Sequence, residues 1–134
     1  MIRPIGLVPV AYVFLDGACE EVTSIGGALI DSDGTREHFG CIVPKTIADT
    51  WKSREEQTQL IGQAELFPAL VARLTWKPRL KGKRVIYFVD NESARAAMVK
   101  QFSAVLPSLR ILIQCTQLDL EMGCENWYAR VPTC

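Results

Sequence analysis

Two stretches of this chain are apolar almost throughout, and both stop on an aspartate followed by a turn-former. One covers residues 10–16 and ends Val13-Phe14-Leu15-Asp16-Gly17. The other covers residues 84–90 and ends Tyr87-Phe88-Val89-Asp90-Asn91. A β-prone run without polar alternation belongs in the middle of a sheet, buried on both faces. A strand that delivers a carboxylate at its C-terminal end is a way to build a site at a sheet rim. Two such strands side by side would bring two carboxylates within reach of one cation. A third acid, Glu65, lies between them on an amphipathic stretch.

The remaining segments give these strands neighbours. Residues 22–31 read as a second strand, in which Gly26-Gly27 marks a bulge or a close backbone approach. Asp31-Ser32-Asp33-Gly34 is a turn, and residues 35–43 follow as a third strand, so the chain opens as an antiparallel meander. Residues 44–57 are polar, and 50–56 fit either a short helix or a mobile loop. Leu60, Ala64, Phe67, Val71 and Leu74 recur at helical spacing. Pro68 inside that pattern predicts a new turn or a kink, and Lys77-Pro78 through Gly82 ends the helix. Asp90 or Asn91 caps the next helix, whose inner face is Ala94, Ala97, Met98 and Phe102. Residues 106–122 read as a helix closed by Gly123, although 109–115 also suit a strand, and 126–132 form a last strand. A right-handed crossover then sets strands one and four parallel and adjacent, with the helix of Glu65 packed over them.

Length and composition narrow the class. A chain of 134 residues makes one domain with a real core. Fifteen basic and fifteen acidic residues cancel, so net charge gives no pointer to nucleic acid. A local run does: Arg73, Lys77, Arg79, Lys81, Lys83 and Arg84 have no acid among them. Such a run either anchors phosphates or is a solvated loop. The cysteines at 19, 41, 115, 124 and 134 form no C-x-x-C pair, and His38 is the single histidine. That set does not make a structural zinc site and suits reduced thiols inside the cell, in cytoplasm or nucleus. His38 is expected half-exposed on a strand. Pro4 and Pro9 interrupt the N-terminal apolar run, which is not read as a secretory leader. No apolar stretch reaches the ~18 residues of a membrane span, so no membrane partner is expected.

Singly, each acid has an ordinary role: Asp16 in a turn, Asp90 as a helix cap, Glu65 as a solvated helix residue. Jointly they form a cleft of like charges, where at least one carboxyl is pushed toward protonation unless a cation intervenes. Mg²⁺ prefers oxygen ligands and keeps substrate phosphate in its shell. Two such ions roughly 4 Å apart activate water and stabilise the leaving oxygen in phosphodiester cleavage, without a side-chain base. A doubly wound phosphotransfer domain also places strand-end aspartates around Mg²⁺. It requires helices between strands from the start, which the hairpin at 31–34 opposes.

The ordered segments Phe14-Leu15-Asp16-Gly17-Ala18, Ile61-Gly62-Gln63-Ala64-Glu65-Leu66 and Phe88-Val89-Asp90-Asn91-Glu92-Ser93 resemble the ribonuclease H domain. Asn126-Trp127-Tyr128-Ala129-Arg130-Val131-Pro132 is similar to the last strand of ribonuclease H-like domains attached to retroelement reverse transcriptases. The resemblance implies an α/β fold: a five-stranded mixed sheet, three antiparallel strands then two parallel ones, flanked by helices. It implies that Asp16 bridges two Mg²⁺ or Mn²⁺ ions, with Glu65 and Asp90 each binding one. It further implies an RNA–DNA hybrid as substrate and a covalently linked polymerase domain as partner. Gly17, Gln63 and Asn91 would touch the RNA strand, whose 2′-hydroxyls distinguish it from DNA. Lys77, Arg79, Lys81 and Lys83 would meet backbone phosphates. The family supplies a fourth aspartate just after the final strand, which is not reached by Cys134; Glu121 and Glu125 precede that strand. The expectation is a single domain over residues 1–134 lacking its C-terminal helix: either a trimmed piece of a polyprotein or a domain of reduced activity.

Overall fold

The turn at 31–34 closes as its residues predict. Asp31 N–H donates to Thr35 O, and Gly34 N–H donates to Asp31 O. Gly34 adopts φ 86°, a left-handed conformation that costs glycine nothing. The turn joins β2 (Thr23–Ile30) to β3 (Arg36–Ile42), and β2 pairs antiparallel with β1 (Val10–Cys19) on its other side. The computed structural model describes residues 8–19, 22–51 and 60–130. After α1 (Lys45–Trp51) and α2 (Leu60–Leu80), β4 (Arg84–Val89) enters parallel to β1. Then α3 (Glu92–Lys100) and α4 (Leu106–Met122) lead to β5 (Glu125–Ala129), parallel to β4. The sheet order is β3-β2-β1-β4-β5, so the strand that contains Asp16 and the strand that precedes Asp90 are neighbours in the interior of the sheet. No described helix is long and apolar enough to cross a membrane.

The core lies between the sheet and α2. Val13, Leu15, Val85, Tyr87 and Val89 turn inward, where Leu66, Ala69, Leu70 and Trp76 complete one buried cluster. The expectation of burial on both faces fails for β1 and β4. Their other face carries Tyr12, 39% exposed, with Phe14, Ile86 and Phe88 half-buried. Nearly parallel rings of Phe14 and Phe88, 4.7 Å apart, shield each other there. Gly26 and Gly27 form no bulge, because the β1–β2 and β2–β3 registers run through them unbroken. What approaches Gly27 is a side chain and not the expected backbone: a Cβ on it would lie 2.5 Å from the Phe39 ring.

Helix α2 departs from the expected pattern in two ways. It is buried against both the sheet and α4, so burial spreads from the expected Ala64 to Ala69, Ala72, Trp76 and Leu80 outside the stripe, and Leu74 is exposed. It also runs through Pro68 without a break. The non-helical residue is Trp76 (φ −111°, ψ 19°), in the turn where Pro78 cannot donate to the Leu74 carbonyl. Arg73, only 1% exposed, clamps the layers. Its guanidinium donates to both Asp119 carboxylate oxygens (2.7 and 3.1 Å), to Tyr128 Oη (2.8 Å) and to Ala69 O (3.0 Å), and stands 4.5 Å from the centre of the Tyr87 ring. A buried charge persists only when its donors are satisfied in this way.

Short-range rules hold in the second half. Asn91 Oδ1 accepts from Ala94 N–H and caps α3, and Gly123 (φ 65°) closes α4, which is helical throughout. Phe102, expected inside, is exposed beyond the end of α3, while Ala94 and Met98 are buried. His38 is exposed on β3, more so than expected. A short helix does form in the polar segment, earlier than expected, at α1; residues 52–56 and 131–132 lie outside the described residues.

Two predictions follow from this packing. Gly17 sits where a Cβ would come within 1.9 Å of Ala64 O, a backbone atom that cannot yield. Gly17→Ala therefore costs about 1–3 kcal/mol in urea denaturation. At the other end of β1, burial raises the Asp31 carboxyl. Donors from Lys83, the Ser32 N–H and Arg79 outweigh that, and hold it below its ordinary value of 3.8. The stabilisation is complete above that value and drains as pH falls below it. Thermal unfolding from pH 2 to 7 should show wild type losing its margin over Asp31→Asn as pH falls below about 4. At pH 7 the variant should be weaker by about 2 kcal/mol.

Candidate active site

Strand order decides where the acids emerge. Leu15 pairs with Val89 across the parallel β1–β4 ladder, so Asp16 and Asp90 follow at the same end of that pair; Asp90 stands just past β4, whereas β1, expected to stop on Asp16, continues to Cys19 in pairing with β2. Both are exposed. Glu65 comes from the helix layer, in the second turn of α2, and is half-buried. What carries it to that end is the contact beneath it: Gly17 follows Asp16, Ala64 precedes Glu65, and the backbone of Ala64 rests on Gly17.

The electrostatics report the same convergence. The Glu65 carboxyl is pushed up to about 7, first by burial and then by the negative charges of Asp16 and Asp90. Only nearby charges act so, which places acids from β1, α2 and β4 in one field. As placed, no group of three His, Cys, Asp or Glu residues among the described ones stands ready to hold a metal ion. The donor set nonetheless fits a hard divalent cation. It offers oxygen ligands only, two of them on exposed side chains, and one carboxyl held near neutrality by burial first and then by repulsion, the part that a cation would relieve.

The other candidate residues are placed less favourably. Gly17 serves the close approach of α2. Gln63 is 1% exposed and donates from Nε2 to Ser108 Oγ at 2.6 Å. It pins α2 to α4 and does not reach toward a 2′-hydroxyl. Asn91 is half-buried beside Asp90, with its Oδ1 occupied in capping. The basic run is corrected most. Arg73 pairs with Asp119, Lys77 with Glu121, Arg79 with Asp31, Asp33 and Glu37, Lys83 with Asp31, and Arg84 with Glu125. Lys81 alone of the six has no ion pair among the described residues. The end of the run at Arg84 also lies at the opposite end of the sheet from the acids, about 20 Å from Asp90 along β4. The residue that sequence reasoning misjudged is Arg73, an arginine amid Leu70, Val71, Ala72 and Leu74, whose apolar neighbours were the signal of burial.

No protein-family model matches this chain, and no curated protein matches it either. Solved structures do. Ribonuclease H1 of the halophilic archaeon Halobacterium salinarum NRC-1 superposes with a TM-score of 0.66 at 16% identity, over 92% of this chain and 86% of that one. The N-terminal RNase H domain of rv2228c from Mycobacterium tuberculosis gives 0.63 at 10% identity, over 92% and 83%. LC11-RNase H1, in complex with an RNA/DNA hybrid, gives 0.61 at 12%, over 91% and 85%. The chain has the ribonuclease H fold.

The shared field of the acids is directly measurable. Carboxyl ¹³C titration should show Glu65 changing charge near pH 7, and Asp16→Asn should move it toward 4.5. A raised carboxyl favours the fold at low pH and loses that contribution as pH rises through its folded value. Glu65→Gln should therefore match wild type in thermal stability at pH 4 and exceed it at pH 8.

Proposed function

We propose that this domain is a metal-dependent endonuclease that hydrolyses the RNA strand of RNA–DNA hybrids. The observation that carries the reading is the convergence of Asp16, Glu65 and Asp90 at one end of the sheet, recorded in the raised Glu65 carboxyl. The ribonuclease H fold supports it, as does the hybrid bound to one structural neighbour. In this reading Asp16, Glu65 and Asp90 hold two Mg²⁺ or Mn²⁺ ions. Bound there, the ions supply charge neutralisation and activation of water for phosphodiester hydrolysis.

The chain's own residues do the positioning. Asp16 on β1 and Asp90 just past β4 are carried by two paired parallel strands, so the spacing of their backbones is set by that pairing. Glu65 is fixed by α2, which Gly17 admits and Arg73 locks. Asn91, adjacent to Asp90, offers its side-chain amide N–H groups to the RNA strand while its oxygen holds α3 in place. With the basic run spent in ion pairs, Lys81 is the one member left to meet a phosphate. The likeness of residues 126–132 to retroelement domains supports a covalently linked polymerase domain as neighbour, acting inside the cell.

A second reading is a catalytically impaired domain that holds hybrid or partner protein. One observation favours it: no ready-made group of three ligands stands among the described residues. One experiment separates the two. A hybrid labelled on its RNA strand should be cut with Mg²⁺ or Mn²⁺, spared in EDTA, and spared by Asp16→Asn, with a loss of at least about a hundredfold. Hybrid binding without cleavage in either metal would favour the second reading, and metal-independent cleavage would reject the first.

A further inference from the structure

The free edge of β5 borders a groove that the proposed chemistry does not use. Among the described strands β5 pairs only with β4. Glu125 N–H donates to Lys83 O on the β4 side, so strand alternation turns the backbone N–H and C=O of Asn126 to the open edge. One alternation further along, Arg95 Nε donates to Tyr128 O at 3.0 Å and closes the edge. Beside Asn126 opens a groove of about 550 Å³ between the C-terminal halves of α3 and α4. That volume is within the range of about 300–1,000 Å³ that holds specific ligands. Its walls include Met98, Val99, Leu120 and Trp127; the last three are 57%, 79% and 64% exposed. Asn126 itself lines the groove. Asn126 pairs with Val85, far along β4 from Asp90, so this place is distinct from the acids.

The charge of the groove selects the class of occupant. Its two charged members are spoken for: Arg95 with Glu92 and Tyr128 O, Asp119 with Arg73. Among the described residues no unpaired cation lines it, so a phosphate backbone finds no partner there. The walls instead ask for apolar surface, and the floor asks for one backbone pair.

We propose that this groove binds an extended, uncharged peptide segment bearing an apolar side chain. The peptide backbone pairs with the Asn126 N–H and C=O, extending the sheet by a short strand. Its apolar side chain fills the space between Met98 and Leu120. The test is an amide NMR titration of the chain with the capped peptide N-acetyl-Thr-Leu-Thr-methylamide, and with its analogue methylated on the leucine nitrogen. The expected result is saturable shifts at Val99, Leu120 and Asn126. Affinity should fall at least about tenfold for the methylated analogue and for the surface variants Leu120→Asp and Val99→Asp. Absence of saturable shifts at Asn126, equal affinity of the two peptides, or unchanged affinity in both variants would overturn the proposal. So would an RNA–DNA hybrid moving the same amides.

Discussion

The seating of α2 on β1 at Gly17 is the contact on which the geometry of this domain turns. A helix can rest its backbone on a strand only where the strand has no side chain, and an added Cβ there would overlap the Ala64 carbonyl. Pro68 belongs to the same arrangement. Lacking an N–H, it cannot tie up the Ala64 carbonyl within the helix, so that oxygen is the group pressed onto the strand. Asp16 and Glu65 flank this contact in sequence, one on each element. The distance between their carboxyls is therefore a property of the backbone rather than of rotamers alone.

Bringing three acids to one end of the sheet destabilises the fold, and the opposite end of the molecule offsets it. There the Asp31 carboxylate gathers Lys83 and Arg79 across the β2–β3 turn, while Arg73 joins α2, α4 and β5 through Asp119 and Tyr128. Basic residues that look in sequence like a phosphate anchor thus hold the scaffold together. The division is physical: like charges are concentrated where a ligand can neutralise them, and opposite charges are paired where nothing else will.

Much of this was legible in the chain. The two apolar runs ending on Asp16 and Asp90 and the turn at Asp31–Gly34 lead to the sheet order, because strand burial and turn chemistry are local. Glu65 was legible as well, through its position on the crossover helix. The errors share one cause, which is tertiary contact overriding a local pattern. Leu74 and Phe102 have the spacing of core residues but face solvent, since α2 is buried on two sides and α3 stops at Gln101. Gln63 and the basic run are polar and read as surface, yet their partners Ser108, Asp119, Glu121 and Asp31 are about 45 to 50 residues away, where no sequence pattern links them.

The account rests on whether the three carboxyls close on a cation, and crystallography can see that directly. Anomalous scattering from a crystal soaked in Mn²⁺ should show a peak bounded by Asp16, Glu65 and Asp90, absent in Asp16→Asn. A well-ordered site with no peak, or a peak held by other residues, would contradict it.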